Sequence, residues 1–298
     1  RYGEAKNQTI SVVKRIQDNN DLVTSYGSGD SFKVKALNDN GNIAQGLTIT
    51  FNIDGKSYSA ATDSNGYAYL NLNLNPGAYT LTSSYKGFSV KNTVSVKSTI
   101  GLPSNNVYTY NSNYKPDFLD KSGNILSGKV AYIVDGVRSE VNAADGLNVA
   151  LNSGSYVVSV INPVTGEVKN QAVTVVDRIH DNNNLITYYG SGDSFRVKVL
   201  DDNGNAAGNV NVAFAVDGKS YTGVTDSNGY ACLNVNMPVG VYTVTSSYKG
   251  FSVKNTMTVK STVGLPANTV YTYNSVYKAS FLDKSGNILS GKVAYIVD

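Results

Sequence analysis

The sequence has a single cysteine, Cys232, so no disulfide can close within the chain. Such scarcity suits a cytosolic protein or a surface protein that avoids stray thiols. Tryptophan is absent and there is one histidine, His180. Charge is also thin, with 16% of residues charged and a net charge of +3. The basic residues form no block. Nucleic-acid phosphates need a clustered positive surface, so no nucleic-acid partner is expected. No apolar run approaches the roughly 20 residues that span a bilayer, so no transmembrane segment is expected. The opening Arg1-Tyr2-Gly3-Glu4 is polar and does not read as a signal peptide. At 41% hydrophobic, the chain still carries enough apolar surface to fold, which excludes a disordered polymer.

What is plentiful is tyrosine, with 22 residues, together with glycine and asparagine. Tyrosine favours strands, and the other two favour tight turns. The sequence also repeats itself. Ser83 through Thr93 recurs unchanged as Ser246 through Thr256, and Phe118 through Asp135 recurs as Phe281 through Asp298, both 163 residues apart (246 − 83 and 281 − 118). Each long repeat holds two weaker copies. Gly41-Asn42 matches Gly123-Asn124, and the run from Leu47 to Gly55 matches that from Gly128 to Gly136. The unit is therefore a module of roughly 80 residues, enough to bury a small core. The expected order is the last strand of a B-type module (1–16), A1 (17–98), B1 (99–177), A2 (178–261) and the first half of B2 (262–298).

Leu47, Ile49, Phe51 and Ile53 alternate with Thr48, Thr50 and Asn52, and Ala68, Leu70, Leu72 and Leu74 with Tyr69, Asn71 and Asn73; Val210, Val212, Phe214 and Val216 repeat the first spacing in A2. A period of two marks strands buried on one face. Asn40-Gly41, Asp54-Gly55, Asn65-Gly66, Asn203-Gly204, Asp217-Gly218 and Asn228-Gly229 carry the signature of type I′ hairpin turns. Many short strands per module predict an all-β chain of tandem Ig-like β-sandwich modules in an extended array.

The residues that carry a family likeness lie in the A modules. They are Gly55-Lys56-Ser57-Tyr58, then Thr62-Asp63-Ser64-Asn65-Gly66-Tyr67-Ala68, then Leu72 through Thr80 with its Asn75-Pro76-Gly77 turn. This pattern resembles the Ig-like repeat modules of archaeal adhesin-like cell-surface proteins, especially those of gut methanogens, and more distantly the B-type modules of collagen adhesins. It covers the A modules closely. In B1, Ala144-Asp145-Gly146 and Ser153-Gly154-Ser155-Tyr156 keep only its skeleton. The resemblance implies an extracellular, cell-surface location and a role in attachment or envelope structure. The near-identity of the long repeats favours a structural stalk or filament that is not an enzyme, because a single binding site would need only one copy. A glycan- or protein-binding adhesive module is the alternative, and a non-catalytic region of a surface enzyme the lesser one.

Each chemistry-bearing residue also has a plainer reading. His180 stands where the earlier repeat has Gln17, so it is read as structural. Gly27-Ser28-Gly29-Asp30 and Gly190-Ser191-Gly192-Asp193 precede strands and lack the helix end that cradles phosphate, so they read as turns. Asp18-Asn19-Asn20-Asp21 and Asp181-Asn182-Asn183-Asn184 have the oxygen chemistry for calcium. The loss of Asp21 to Asn184 favours turn chemistry, so no metal or other cofactor is expected. The collagen-adhesin likeness implies an isopeptide bond as one possibility, with Lys35 and Asn92, or Lys198 and Asn255, as its residues. Lys35 alternates with Phe32, Val34 and Ala36 and should instead point outward. Cys232 replaces Tyr69 on a polar strand face, and Asn7-Gln8-Thr9 is a sequon for N-glycosylation. The partners expected are neighbouring modules of the same array or identical chains, and a host or cell-envelope glycan or protein. Residues 1–16 resemble a last B strand and 262–298 an early half. That pairing admits two readings: head-to-tail strand addition into an open filament, or one longer covalent array.

Overall fold

The computed structural model describes residues 3–297, and among them every regular element is a strand. Contact density divides the chain into two units, and the division crosses the strands of B1. The first unit comprises the chain up to Pro103 with Lys115–Gly146 and Val157–Gln171. The second comprises Ser104–Tyr114, Leu147–Tyr156 and the chain from Ala172 on.

In the first unit, A1 supplies β1 (Ile16–Gln17), β2 (Leu22–Ser25), β3 (Ser31–Ala36), β4 (Thr48–Ile53), β5 (Lys56–Ala61), β6 (Tyr67–Asn71), β7 (Gly77–Tyr85) and β8 (Phe88–Lys97). They form two layers, a three-stranded sheet in the order β1-β3-β6 and a five-stranded sheet in the order β2-β8-β7-β4-β5. The opening segment is shared between layers. β1 runs antiparallel to β3, and β2 runs parallel to β8. This is an Ig-like sandwich.

B1 follows with β9 (Ile100–Gly101), β10 (Val107–Thr109), β11 (Ser112–Tyr114), β12 (Asp117–Phe118), β13 (Lys129–Val134), β14 (Val137–Asn142), β15 (Leu147–Val149), β16 (Gly154–Ile161) and β17 (Val168–Val176). Its five-stranded sheet has the matching order β10-β17-β16-β13-β14. The strand equivalent to β3 is broken in two, β11 pairing with β15 and β12 with β9. Pro116 lies at the break. Proline has no N–H for a ladder and holds φ fixed, yet the inward alternation of Tyr114, Pro116 and Phe118 survives.

The second unit contains A2, built of β18 (Ile179–His180), β19 (Leu185–Tyr188), β20 (Ser194–Val199), β21 (Asn211–Val216), β22 (Lys219–Val224), β23 (Tyr230–Asn234), β24 (Gly240–Tyr248) and β25 (Phe251–Lys260). Sheets β18-β20-β23 and β19-β25-β24-β21-β22 repeat the A1 topology. Beyond it, among the described residues, β26 (Val263–Gly264) pairs with β27 (Ser280–Phe281), and Leu282 bridges to Ile288. The segment 265–279 repeats the β10–β11 region, whose strands in B1 are held by β17 and β15.

Alternation produces the cores. Ile49, Phe51 and Ile53 are buried on β4 while Thr48 and Asn52 are exposed. Phe32, Val34 and Ala36 are buried on β3 with Lys33 outside. Phe32 meets Phe51 edge to face at 6.4 Å between the two layers. Phe118 meets Tyr132 at 6.3 Å in B1, and Phe195 meets Phe214 at 6.2 Å in A2. One aromatic pair thus pins each sandwich, and each such ring is worth about 1.5–3 kcal/mol of burial. Leu72 and Leu74 lie past the end of β6 but still pack on the A1 core.

The turns divide into two kinds. Asp54-Gly55 and Asp217-Gly218 have positive φ at both residues, as type I′ requires. At Asn40-Gly41, Asn65-Gly66, Asn203-Gly204 and Asn228-Gly229 only the glycine is left-handed, which corrects the type I′ expectation. The cause is a side-chain cap. Asp63 Oδ1 accepts from the N–H groups of Asn65 and Tyr67, and Asp226 repeats this with Asn228 and Tyr230. That cap holds the intervening residues in the right-handed region. Lys86-Gly87, by contrast, forms a two-residue turn with both φ values positive.

Candidate functional site: the module junctions

Among the described residues, buried polar and charged side chains gather where modules meet. In the first unit, Glu167 sits in the loop between β16 and β17 and is 4% exposed. Its carboxylate accepts from Thr99 N (2.5 Å), Thr99 Oγ1 (2.7 Å) and Ser98 Oγ (2.7 Å). Thr99 is the first residue after the A1 sandwich, so the contact clamps the linker. Thr165 Oγ1 lies 2.8 Å from Thr99 Oγ1, and the buried Asn162 donates to Leu119 O at 2.8 Å. Lys169 Nζ, 3.9 Å from Glu167, donates to Ile100 O at 2.8 Å. Gly27 is left-handed, and a Cβ there would lie 2.3 Å from the Thr165 carbonyl oxygen. Only glycine allows A1 that close to B1.

In the second unit, Arg178 opens A2 and is wholly buried. Its Nε donates to Tyr110 O at 2.6 Å and its Nη2 to Asp202 at 2.8 Å, and its guanidinium lies 5.7 Å from the centre of the Tyr248 ring. Asp202 also accepts from Lys249 Nζ at 2.9 Å. Partial burial raises the Asp202 carboxyl, but the hydrogen bonds from Lys249 and Arg178 outweigh it and hold the group below its ordinary value. The β10–β11 hairpin lies over the same end of A2. Thr109 Oγ1 donates to Asp201 O at 2.9 Å, Asn105 Nδ2 to Asn203 Oδ1 at 3.2 Å, and the Tyr110 ring is 5.9 Å from Phe251.

No protein-family model matches the chain, and no curated protein matches it either. Solved structures do. The I9–I11 tandem of titin is 12% identical, over 84% of this chain and 98% of that one, with a TM-score of 0.35. A Ca²⁺-stabilized adhesin of an ice-binding Antarctic bacterium is 18% identical, over 83% of this chain and 74% of that one, at 0.21. Domains 1–6 of the surface layer protein SbsC are 19% identical, over 94% of this chain and 44% of that one, at 0.23. The likeness is one of fold.

The remaining sequence candidates have defined places. Tyr67 donates to Asp18 at 2.8 Å and Tyr230 to Asp181 at 2.6 Å; these bonds to a carboxylate push both phenols up. Asp21 accepts from Thr93 N at 2.8 Å, and Asn184 accepts from Thr256 N at the same distance. An acceptor is all that position requires, which is why asparagine substitutes for aspartate. Asn92 is held by Asn19 and Asp21, with Nδ2 donating to Asn19 O at 2.5 Å, and Asn255 donates to Asn182 O. Lys35 lies instead over the Tyr67 ring at 5.4 Å, and Lys198 over Tyr230 at 5.7 Å. The structure therefore shows neither lysine directed at its asparagine. His180 is half-buried on β18, Cys232 is an exposed free thiol on β23, and Asn7 is exposed.

Sequence reasoning missed Glu167, Asn162, Arg178 and Asp202. A signal existed for two of them. Arg15, Asp39 and Lys86 recur together as Arg178, Asp202 and Lys249, a charged triad carried intact across the 163-residue repeat.

Proposed function

We propose that this chain is a structural repeat region of an extracellular, adhesin-like protein that builds a stalk on the cell surface and performs no catalysis. The observation that carries the reading is the pair of buried junction locks, Glu167 on Thr99 and Arg178 on Tyr110. A flexible linker would leave these groups in water. Here the buried acid and the buried guanidinium are hydrogen-bonded, as desolvated charges must be, and each fixes the entry of one module against the next. Repeated modules whose chemistry is spent on holding neighbours suit a spacer. Antibodies raised against the chain should label intact cells of the source organism. Labelling only after permeabilisation would refute the surface location.

A second reading, an adhesive face, has one observation behind it. Tyr67 is flanked by Lys33 at 5.1 Å and Lys35 at 5.4 Å on the outer face of β3 and β6, and Tyr230 by Arg196 at 4.8 Å and Lys198 at 5.7 Å. A half-buried tyrosine edged by cations on an outer face suits a sugar bearing carboxylate or sulfate. A glycan array probed with the full chain tests it, and uniform silence on acidic glycans refutes it.

A further inference from the structure

Within the first unit, A1 and B1 meet along a polar groove of about 620 Å³, inside the range of roughly 300–1,000 Å³ that suits a small ligand. On the A1 side lie Ser25 on the edge strand β2, the Ser28–Asp30 turn and Lys97 at the end of β8. On the B1 side lies the Lys121–Gly123 turn.

Both sides are held in shape from within. Thr24, 7% exposed, donates its hydroxyl to Asp30 Oδ2 at 2.5 Å. Ser28 Oγ lies 2.7 Å from Thr24 Oγ1 and accepts from Asp30 N at 3.1 Å. The single Thr24 proton goes to Asp30, so the Ser28 hydroxyl donates to Thr24. One carboxylate oxygen is thereby fixed and Oδ1 is left to accept. On the B1 side, Asp120 Oδ1 accepts from Ser122 N and Asn124 N at 2.8 and 2.9 Å, and Gly123 has φ 82°. A left-handed glycine presents bare backbone to the groove. Among the described residues, neither Lys97 nor Lys121 has a carboxylate within ion-pair distance.

A second copy of this groove shows what fits it. Of the residues that line the first, only Val23 and Ser25 differ from their counterparts 163 positions on, Ile186 and Tyr188. The supporting bonds recur. Thr187 donates to Asp193 Oδ2 at 2.5 Å and lies 2.7 Å from Ser191 Oγ, and Asp283 Oδ1 accepts from Ser285 N and Asn287 N at 2.9 and 2.8 Å. A Cβ on Gly286 would stand 2.3 Å from Tyr188 Cε2 and 2.6 Å from its hydroxyl, so the phenol ring rests against the bare glycine. At Gly123 the same point is 3.6 Å from the short Ser25 side chain. Alike walls thus hold a six-membered ring with a hydroxyl in one copy and stand open in the other.

We propose that the A1–B1 groove binds a hexuronate residue of an acidic polysaccharide, its pyranose ring taking over Gly123 the place that Tyr188 takes over Gly286. The C–H face of the ring packs on the glycine backbone, ring hydroxyls donate to Asp30 Oδ1, and the sugar carboxylate accepts from Lys97 and Lys121 Nζ. A neutral sugar offers nothing to the two ammonium groups. An aromatic acid offers nothing to Asp30. Walls that are already shaped keep the ordering cost of binding low. The site shares no residue with the Tyr67 face and goes beyond the stalk reading.

Backbone amide shifts of the full chain, followed by NMR during titration with methyl β-glucuronide, test it. Saturable shifts are expected at Ser28 and Gly123, with a Kd of about 1 mM, as the size of one sugar allows. Methyl β-glucoside and benzoate, each carrying half of the chemistry, should bind there at least about tenfold more weakly. Ser25→Tyr should abolish the response at Gly123. The A sandwich accepts tyrosine at that position, as Tyr188 shows, so the loss reports a filled groove. Tyr188→Ser should open the second groove and bring new saturable shifts at Gly286, a gain that no misfolded variant produces. Lys33→Ala, on the outer face, should leave the Gly123 response unchanged. The proposal is overturned if glucuronide at about ten times the expected Kd gives no saturable shift at Gly123. It is equally overturned by an equal response to glucoside or benzoate, by a response that survives Ser25→Tyr or is lost in Lys33→Ala, or by silence at Gly286 in Tyr188→Ser.

Discussion

At the scale of single residues, the chain uses its few charges sparingly and in pairs. Glu167 is the clearest case. Glu167→Ala leaves the buried Thr99 N–H without its acceptor and takes one partner from the Thr99 and Ser98 hydroxyls, which should cost about 2–4 kcal/mol. Denaturant unfolding of the full chain should show its least stable transition moving to lower concentration, while removing the exposed Glu4 carboxylate, its counterpart in the repeat, should move nothing. Asp202 makes a pH-dependent contribution. Its folded value lies below the ordinary 3.8, so the stabilisation is complete above that pH and is lost as pH falls through the folded value. Wild type should therefore exceed Asp202→Asn in stability at neutral pH, and the two should converge as pH falls below the folded value. A difference that persists in acid would show that packing, not ionisation, sets the effect. These roles were poorly legible in sequence, since a glutamate in a turn-rich loop reads as solvated until its donors, 68 residues away, are seen.

At the scale of elements, alternation was a faithful guide and turn dipeptides were not. The buried faces of β3, β4 and β21 are those that period two selects, because a sandwich leaves one side of each strand for the core. The Asn-Gly pairs misled because a short acidic or amide side chain two residues earlier competes for the same N–H groups. Asp63→Ala should expose this. It removes two caps and should destabilise A1 by about 0.5–2 kcal/mol, with Asp226→Ala doing the same to A2. Hydrogen exchange at Asn65 and Tyr67 would report the loss locally, and unchanged protection there would refute the capping role. The break between β11 and β12 was legible only as a proline; that the inward alternation continues across it required the structure.

At the scale of the whole chain, the repeat period and the all-β class were open to inspection and the recurring charged triad pointed toward the Arg178 lock, whereas the Glu167 lock was not legible, because it joins residues distant in sequence. One feature of each A sandwich bears on what such a chain does under load. β2 lies parallel to β8, Leu22 opposite Val94 through Ser25 opposite Lys97, and β19 lies parallel to β25 in the same way. A pull on the two ends of a module draws the first and last strands in opposite directions along their common axis. The hydrogen bonds of that ladder are then loaded together in shear, whereas an antiparallel pair pulled from the same end would peel one rung at a time. Val23→Pro interrupts the ladder in A1 and leaves A2 as an internal reference. In single-molecule pulling, the A1 rupture should fall to a lower force while that of A2 is unchanged. Equal forces would place the mechanical barrier elsewhere. With the ladder intact, each A module is a latch that holds against steady tension and, once broken, releases about 25–30 nm of chain at a step.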